Sequence, residues 1–121
     1  MKVSLFTLAF CLLAYCELEV PAKFYGQLAA DYDITQGQYE QLTYGLPVRW
    51  HQEYVRLLRE RYGIEAHAIA GCVVTRPLIA YAAGYNKVSM KAANRKFGRD
   101  IFRESANEAG RNWQALMTSG Y

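Results

Sequence analysis

The opening of the chain constrains its fold more than any other feature. Met1 and Lys2 give a short cationic start, and residues 3–16 then run without a charged side chain. A run of about fourteen mostly apolar residues is shorter than the roughly twenty that cross a bilayer, but it fits the apolar region of a secretory signal peptide. The sequence therefore predicts an exported protein, periplasmic or extracellular, that has no transmembrane helix.

Signal peptidase requires small side chains one and three positions before the cut. Cys16 and Ala22 each end such a triplet, so we interpret residues 1–16, or at most 1–22, as the signal. Lipid anchoring through Cys16 is disfavoured, because Tyr15 is bulkier than the residue expected before a lipidated cysteine. One alternative stays open: a run that is apolar all round is equally compatible with a buried N-terminal helix or strand of a cytosolic domain.

Length and composition bound the rest of the molecule. A chain of 121 residues forms one small domain, which excludes a two-domain enzyme. With 52% hydrophobic and 21% charged residues, the chain is expected to fold. Residues 17–47 are acidic and rich in Tyr and Gln, with one lysine against five acids, whereas residues 48–121 hold twelve bases and six acids. We therefore expect the acidic segment to lie across the basic body, held by partly screened charge pairing.

Local patterns predict the elements of both parts. Residues 24–46 show no sustained helical period, which indicates turns with one short strand near residues 39–44. An amphipathic helix is predicted after Pro47 and ends at Gly63, and residues 64–74 read as a strand. Thr75 is expected to cap a second helix and Asp100 a third. A lone strand needs a partner, which we expect from the N-terminal segment.

The predicted fold class is α+β. About three amphipathic helices pack on a small sheet in residues 48–121, preceded by the acidic segment and the N-terminal signal-like segment.

The strongest pattern in the chain is a series of basic residues at four-residue spacing. Its members are Lys87, Lys91, Arg95, Arg99 and Arg103. Such spacing forms a cationic ridge on one continuous helix. Gly98 is expected to break the register, so the predicted binding residues are the first three.

Two interpretations of this ridge remain open. The ridge can be a solvated face that pairs with Glu104, with Glu108 or with the acidic segment. Alternatively, it binds phosphate or an anionic polymer in a salt-dependent way. For an exported protein, an envelope protein, an anionic polymer or a lipid headgroup is a more natural partner than nucleic acid.

Catalytic groups are sparse. Cys11 and Cys16 fall in the signal-like segment, and a lone Cys72 is more often a small buried hydrophobe than a nucleophile. The weak candidates for catalysis are Cys72 and His51, because His67 would point away from Cys72 on an unbroken strand. One thiol and two imidazoles lack the paired spacing of a zinc site. We predict no metal and no cofactor, and Asp31 and Asp33 are interpreted as part of a solvated turn.

A set of short motifs occurs in a suggestive order along the chain. It comprises Leu58-Arg59-Glu60-Arg61-Tyr62, Gly63-Ile64, Gly71-Cys72-Val73-Val74, Tyr85-Asn86 and Lys96-Phe97-Gly98. In these the chain resembles the FEKKY-domain proteins, small bacterial proteins that often carry an export signal. The naming motif is matched strictly at Tyr62 alone. The resemblance implies export and a compact domain, and it assigns no catalytic residue.

Together these observations predict an exported, non-enzymatic binding or interaction module of the cell envelope. Two other functions are weighed against it. One is a small hydrolase that uses Cys72 with His51, and the other is a cytosolic nucleic-acid-binding protein that uses the basic ridge.

Overall fold

A computed structural model describes residues 20–120. The predicted signal segment falls almost entirely outside these residues, as do Cys11 and Cys16. In chain order the elements are α1 (20–35), β1 (Glu40–Tyr44), α2 (His51–Tyr62), β2 (Glu65–Ala70), α3 (Arg76–Phe97) and α4 (Ile101–Thr118). The α+β class is confirmed, but the described residues contain four helices where about three were expected. None of these helices has the length and apolar character that a membrane span requires.

The predicted helix ends agree with the structure. Gly63 follows α2 with φ 67° and Gly98 follows α3 with φ 72°, a left-handed conformation that glycine adopts without steric cost. The Thr75 hydroxyl accepts a hydrogen bond from the Leu78 amide at the start of α3. The Asp100 carboxylate accepts one from the Arg103 amide at the start of α4. Each cap satisfies backbone groups that a helix end leaves free.

The described sheet consists of β1 and β2, which run parallel, with α2 as the connection between them. The expectation that the N-terminal segment supplies the strand partner is confirmed. The predicted strand over residues 64–74 is too long, because β2 ends at Ala70. Beyond it Val73 is 83% exposed and Thr75 already caps α3, so the β-branched residues there belong to a loop.

Helix α3 covers the other edge of β1. The Asn86 amide group donates to the carbonyl of Leu42 and accepts from its N–H, at 2.8 and 2.7 Å. The Ser89 hydroxyl does the same for Glu40, donating at 2.6 Å and accepting at 3.1 Å. Two side chains therefore replace the neighbouring strand that a sheet edge otherwise lacks.

The interpretation of residues 24–46 as mostly turns is wrong, because residues 20–35 form α1. Asp31 and Asp33 accordingly lie in a helix and not in a solvated turn. The Asp33 carboxylate accepts a hydrogen bond from the buried hydroxyl of Tyr85. The helical period was hidden because α1 carries small residues on its packed side and large apolar residues on its exposed side. A helix that is apolar on both sides shows no alternation of apolar and polar residues.

Helices α1 and α3 cross in direct backbone contact. A Cβ atom at Gly26 would lie 2.1 Å from the Tyr81 carbonyl oxygen, and one at Gly84 would lie 2.1 Å from the Lys23 carbonyl oxygen. These distances are far below van der Waals contact, and the opposing atoms belong to the backbone. Only glycine fits at either position, so the two glycines fix how closely the helices approach.

The buried residues form two clusters. We call the first core the cluster that α2, α3 and α4 form with Ile64: Tyr54, Leu57, Leu58, Ile64, Ala93, Ile101, Phe102 and Ala109. We call the second core the cluster between α1, β1 and α3: Ala30, Leu42, Ala82 and Tyr85. Helix α3 contributes to both clusters and therefore connects the acidic segment to the body.

Candidate anion-binding groove

The three predicted binding residues lie along one shallow depression on a face of α3, widely open to solvent, which we call the groove. The groove has a volume of about 710 Å³. It is lined by Asn86, Lys87, Met90, Lys91, Asn94, Arg95, Gly98 and Arg99. Lys87, Lys91 and Arg95 are all exposed, and successive members are one helical turn apart.

The ridge is paired with acids only at its C-terminal end. Arg99 pairs with Glu104 at 3.0 Å, whereas Glu108 pairs with Arg61, outside the ridge. Within residues 20–120, Lys87, Lys91 and Arg95 form no ion pair. The interpretation of a paired ridge therefore holds for Arg99 with Glu104 but not for the three predicted binding residues.

The acidic segment does lie on the body, as expected, but its described contacts with α3 are apolar packing and hydrogen bonds. Asp33 accepts from Tyr85, and the backbone of Glu40 is held by Ser89. The Glu40 carboxylate lies 3.8 Å from the His67 ring nitrogen on β2. None of these contacts neutralises the positive charges of the groove.

Arg99 closes the C-terminal end of the groove. Its guanidinium donates to the Tyr62 hydroxyl at 2.9 Å and pairs with Glu104. The hydrogen bond to Tyr62, together with the charge of Glu104, raises the pKa of Arg99. Arg103, the last member of the sequence pattern, lies outside the groove, 3.7 Å from Asp100. The break at Gly98 thus removes Arg103 from the ridge but retains Arg99.

The polar walls of the groove are rigid, because their amides serve the fold. Asn86 holds β1, and the Asn94 side-chain oxygen accepts a hydrogen bond from the Ile101 amide at 3.1 Å. Lys87 and Arg95 are separated by eight residues, which is about 12 Å along a helix axis. Three cations over that distance match a ligand with several anionic groups better than they match a single phosphate.

The candidate catalytic pair is not assembled. Cys72 is exposed in the loop after β2, so the expectation that it is buried is wrong. The reason is that β2 ends two residues before it. His51 begins α2 and lines a separate hollow of about 440 Å³ that includes Tyr44 and Leu46 but not Cys72. His67 is exposed on β2, beside Glu40.

Metal ligands show no clustering in the part of the chain that the structure describes. Between residues 20 and 120, no three His, Cys, Asp or Glu side chains lie close enough to hold one ion.

A larger hollow, which the sequence interpretation missed, lies between the start of α2 and the end of α4. It has a volume of about 920 Å³ and is lined by both tryptophans, Trp50 and Trp113. Three of its polar side chains are engaged with one another. Glu53 accepts hydrogen bonds from Arg56 and from Asn112, and the Arg56 bond lowers the pKa of that carboxyl. The Arg49 guanidinium lies 5.7 Å from the centre of the Trp113 ring.

The wall of this hollow also carries Arg49 and Gln52, to which residues 20–120 give no ion pair or side-chain hydrogen bond. The groove on α3 differs from it in presenting three cations with no described partner.

Comparison with known proteins adds no relative. No protein-family model matches the chain, and neither the curated proteins nor the solved structures contain a significant match. The resemblance to FEKKY-domain proteins stays a prediction.

Proposed function

We propose that this protein is an exported, non-enzymatic binding module that holds a polyanionic ligand in the groove on α3. The observation that carries the proposal is the unpaired state of Lys87, Lys91 and Arg95 within the described chain. Three cations on one face, none of which has a described ion-pair partner, favour an anionic ligand.

Repulsion between the cations of the ridge also supports an anionic ligand. Like charges four residues apart on a helix destabilise it, by about 0.2–0.5 kcal/mol per pair. Lys87, Lys91 and Arg95 form two such pairs, so the ridge works against the stability of α3. A bound polyanion reverses the sign of this effect, because each cation then gains an anionic partner and releases counterions.

Export and the lack of catalysis rest on separate observations. The signal-like residues 1–16 support export, and with it a ligand of the envelope, such as an anionic polymer, a lipid headgroup or an acidic protein surface. Cys72 does not line the hollow that holds His51, which speaks against a thiol hydrolase.

Binding to inorganic polyphosphate tests the anion site. We expect affinity to fall on the order of tenfold or more between low and moderate salt, because about three cations release counterions. The variant Lys87→Gln/Lys91→Gln/Arg95→Gln should lose most of the binding. The matched control, Lys96→Gln/Arg103→Gln/Arg111→Gln, removes the same charge outside the groove and should bind within a few-fold of the parent.

Two results would contradict the anion site. One is the absence of polyphosphate binding at low salt, and the other is an equal loss of affinity in both triple variants. Equal loss would mean that only the net charge matters. Tighter binding of single-stranded RNA than of polyphosphate, with the chain recovered from the cytosol, would favour the nucleic-acid alternative.

Cell fractionation with N-terminal sequencing tests export. We expect the mature chain outside the cytoplasm, beginning at Glu17 or Lys23. An intact N-terminus on a cytoplasmic protein would overturn this part of the proposal and leave the anion site to stand by itself.

A further inference from the structure

The hollow between the start of α2 and the end of α4 contains both tryptophans of the chain, and we call it the tryptophan hollow. Its volume of about 920 Å³ falls within the range of about 300–1,000 Å³ that is usual for small-molecule sites. Trp50 and Trp113 are half-buried, so each ring is partly held by the fold and partly open to the hollow. The size and the aromatic wall are those of a small-ligand site.

The two indole rings are held in place by their neighbours. The Trp50 ring meets the ring of buried Tyr54 edge-on, with centroids 6.2 Å apart, and a Cβ atom at Gly110 would lie 3.8 Å from its indole nitrogen. Trp50 therefore lies between α2 and the backbone of α4. The Arg49 guanidinium lies 5.7 Å from the centre of the Trp113 ring, within the range of a cation–π contact. Rings that are already fixed lose little conformational entropy when a ligand stacks on them.

The acidic group of the wall is already satisfied. Among the described residues that line the hollow, Glu53 carries the single carboxylate. It accepts hydrogen bonds from Arg56 at 2.9 Å and from Asn112 at 3.1 Å, and the second bond joins α2 to α4. Arg56 also pairs with Glu60 at 2.6 Å. These charges neutralise one another and offer a ligand no cation.

The unengaged polar groups of the wall are mainly hydrogen-bond donors. Within residues 20–120 the Arg49 guanidinium has no ion pair, and the Gln52 amide has no hydrogen-bond partner. The same residues offer no acceptor to the indole N–H of Trp50 or of Trp113. Guanidinium and indole groups donate and do not accept. A wall of aromatic rings and free donors fits a flat ligand that carries an acceptor, and arginine matches a carboxylate in both charge and geometry.

From these contacts we propose that the tryptophan hollow binds an aromatic monocarboxylate. Its ring lies against Trp50 and Trp113, and its carboxylate accepts hydrogen bonds from Arg49. The short distance between the Arg49 guanidinium and the Trp113 ring allows one small molecule to contact both. This site goes beyond the proposed function and does not depend on the groove.

The charge of the wall selects a monoanion over other ligands. Because Arg56 is paired with both Glu53 and Glu60, Arg49 is the one described cation of the wall that lacks a carboxylate partner. A polyanion would place surplus negative charge beside Glu53. A neutral aromatic compound would stack on the rings but leave Arg49 without an anion. A single carboxylate on an aromatic ring satisfies both features.

A proton–nitrogen correlation spectrum of the full chain tests the site, because both indole N–H signals come from tryptophans of this hollow. The probe is 2-naphthoate, and we expect it to shift the indole signals in a saturable, one-to-one titration. The neutral analogue 2-naphthamide keeps the ring and lacks the charge. It should bind about tenfold or more weakly than 2-naphthoate, because the charged hydrogen bonds to Arg49 are lost.

Two variants separate the contribution of the charge from that of the ring. Arg49→Gln should weaken 2-naphthoate binding by about tenfold or more and leave 2-naphthamide binding unchanged. The matched control Arg76→Gln removes an exposed arginine that lines neither the tryptophan hollow nor the groove, and it should bind like the parent. Trp113→Leu should weaken the binding of both probes by about threefold or more, because an aromatic face is lost. Far-ultraviolet circular dichroism and urea unfolding confirm that each variant is folded.

Several outcomes would overturn the inference. Indole signals that 2-naphthoate does not shift would do so, as would equal affinity for the two probes or equal loss in Arg49→Gln and Arg76→Gln. Indole signals that move with protein concentration in the absence of a probe, together with a dimer in sedimentation, would assign the hollow to a second copy of the chain. Lys87→Gln/Lys91→Gln/Arg95→Gln should bind 2-naphthoate like the parent. A loss in that variant would place the probe in the groove and not in the hollow.

Discussion

The two cores of this small protein are held together in different ways. The first core joins α2 and α4 through large side chains such as Leu57, Leu58 and Phe102. The second core joins α1, β1 and α3 through small residues, a helix crossing in backbone contact and side-chain hydrogen bonds to the edge of β1. Apolar area stabilises the first core, whereas close fit and polar satisfaction stabilise the second.

This difference determines which substitutions each core tolerates. Where helices meet through large side chains, a methyl group added at the edge of the contact can be accommodated without moving the helices. Where backbones touch, the same methyl group forces the helices apart. The second core also fixes how closely α1 approaches α3.

The largest expected contrast comes from one substitution made in both regions. Gly84→Ala should destabilise the protein by about 1–3 kcal/mol, because its Cβ would clash with the Lys23 carbonyl. Gly110→Ala in α4 should stabilise it by up to about 1 kcal/mol, because its Cβ would meet Trp50 at an ordinary contact of 3.8 Å. Urea unfolding of both variants measures the difference.

The sign of the Gly84 result is decisive. In a helix with nothing packed on it, alanine stabilises the helix by about 1 kcal/mol relative to glycine. A stabilising Gly84→Ala would mean that α1 does not cross α3 at this position.

A smaller contrast comes from the two buried serines. Ser89 in α3 bonds both backbone groups of Glu40, whereas the buried hydroxyl of Ser105 in α4 has no hydrogen-bond partner within the described residues. Ser89→Ala should cost about 1–3 kcal/mol, since it leaves polar groups unsatisfied. Ser105→Ala should be neutral or stabilising by about 1 kcal/mol. Equal losses in urea unfolding would contradict the stabilising role assigned to the bonds between Ser89 and Glu40.

The smallest expected effect is a change in how the stability of the first core depends on acid pH. Arg61 donates hydrogen bonds to Glu108 and joins α2 to α4, which lowers the pKa of Glu108 below 4.5. A lowered pKa contributes stability above the unfolded-state pKa, and this contribution is lost as pH falls through the folded-state pKa. Glu108→Gln should therefore lose less stability than the parent between neutral pH and about pH 3. An identical loss in both proteins would mean that the pair contributes nothing.

The sequence predicted the first core well, because its helices have one apolar face each. The apolar positions of α2 and α4, the caps at Thr75 and Asp100 and the end of α3 at Gly98 follow from local spacing. The second core could not be predicted in this way. Helix α1 has apolar residues on both sides, and the need for glycine at positions 26 and 84 arises only once the two helices meet.

The candidate site was predicted in part. Four-residue spacing identified Lys87, Lys91 and Arg95, but spacing alone could not show that Glu104 and Glu108 are engaged by other arginines. The place of Arg99 in the groove depends on how the chain turns after α3. The exposed apolar residues of α1 were missed together with the helix, because a series of such residues has no meaning until the opposite face of α1 is packed.

Chemical acetylation of lysines, read by mass spectrometry with and without inorganic polyphosphate, tests the anion site most directly. Lys87 and Lys91 line the groove, while Lys96 lies elsewhere on α3 with its amine 5.0 Å from the centre of the Tyr39 ring. We expect polyphosphate to protect Lys87 and Lys91 from acetylation and to leave Lys96 as reactive as before. Equal reactivity of all three lysines with and without polyphosphate would contradict the anion site.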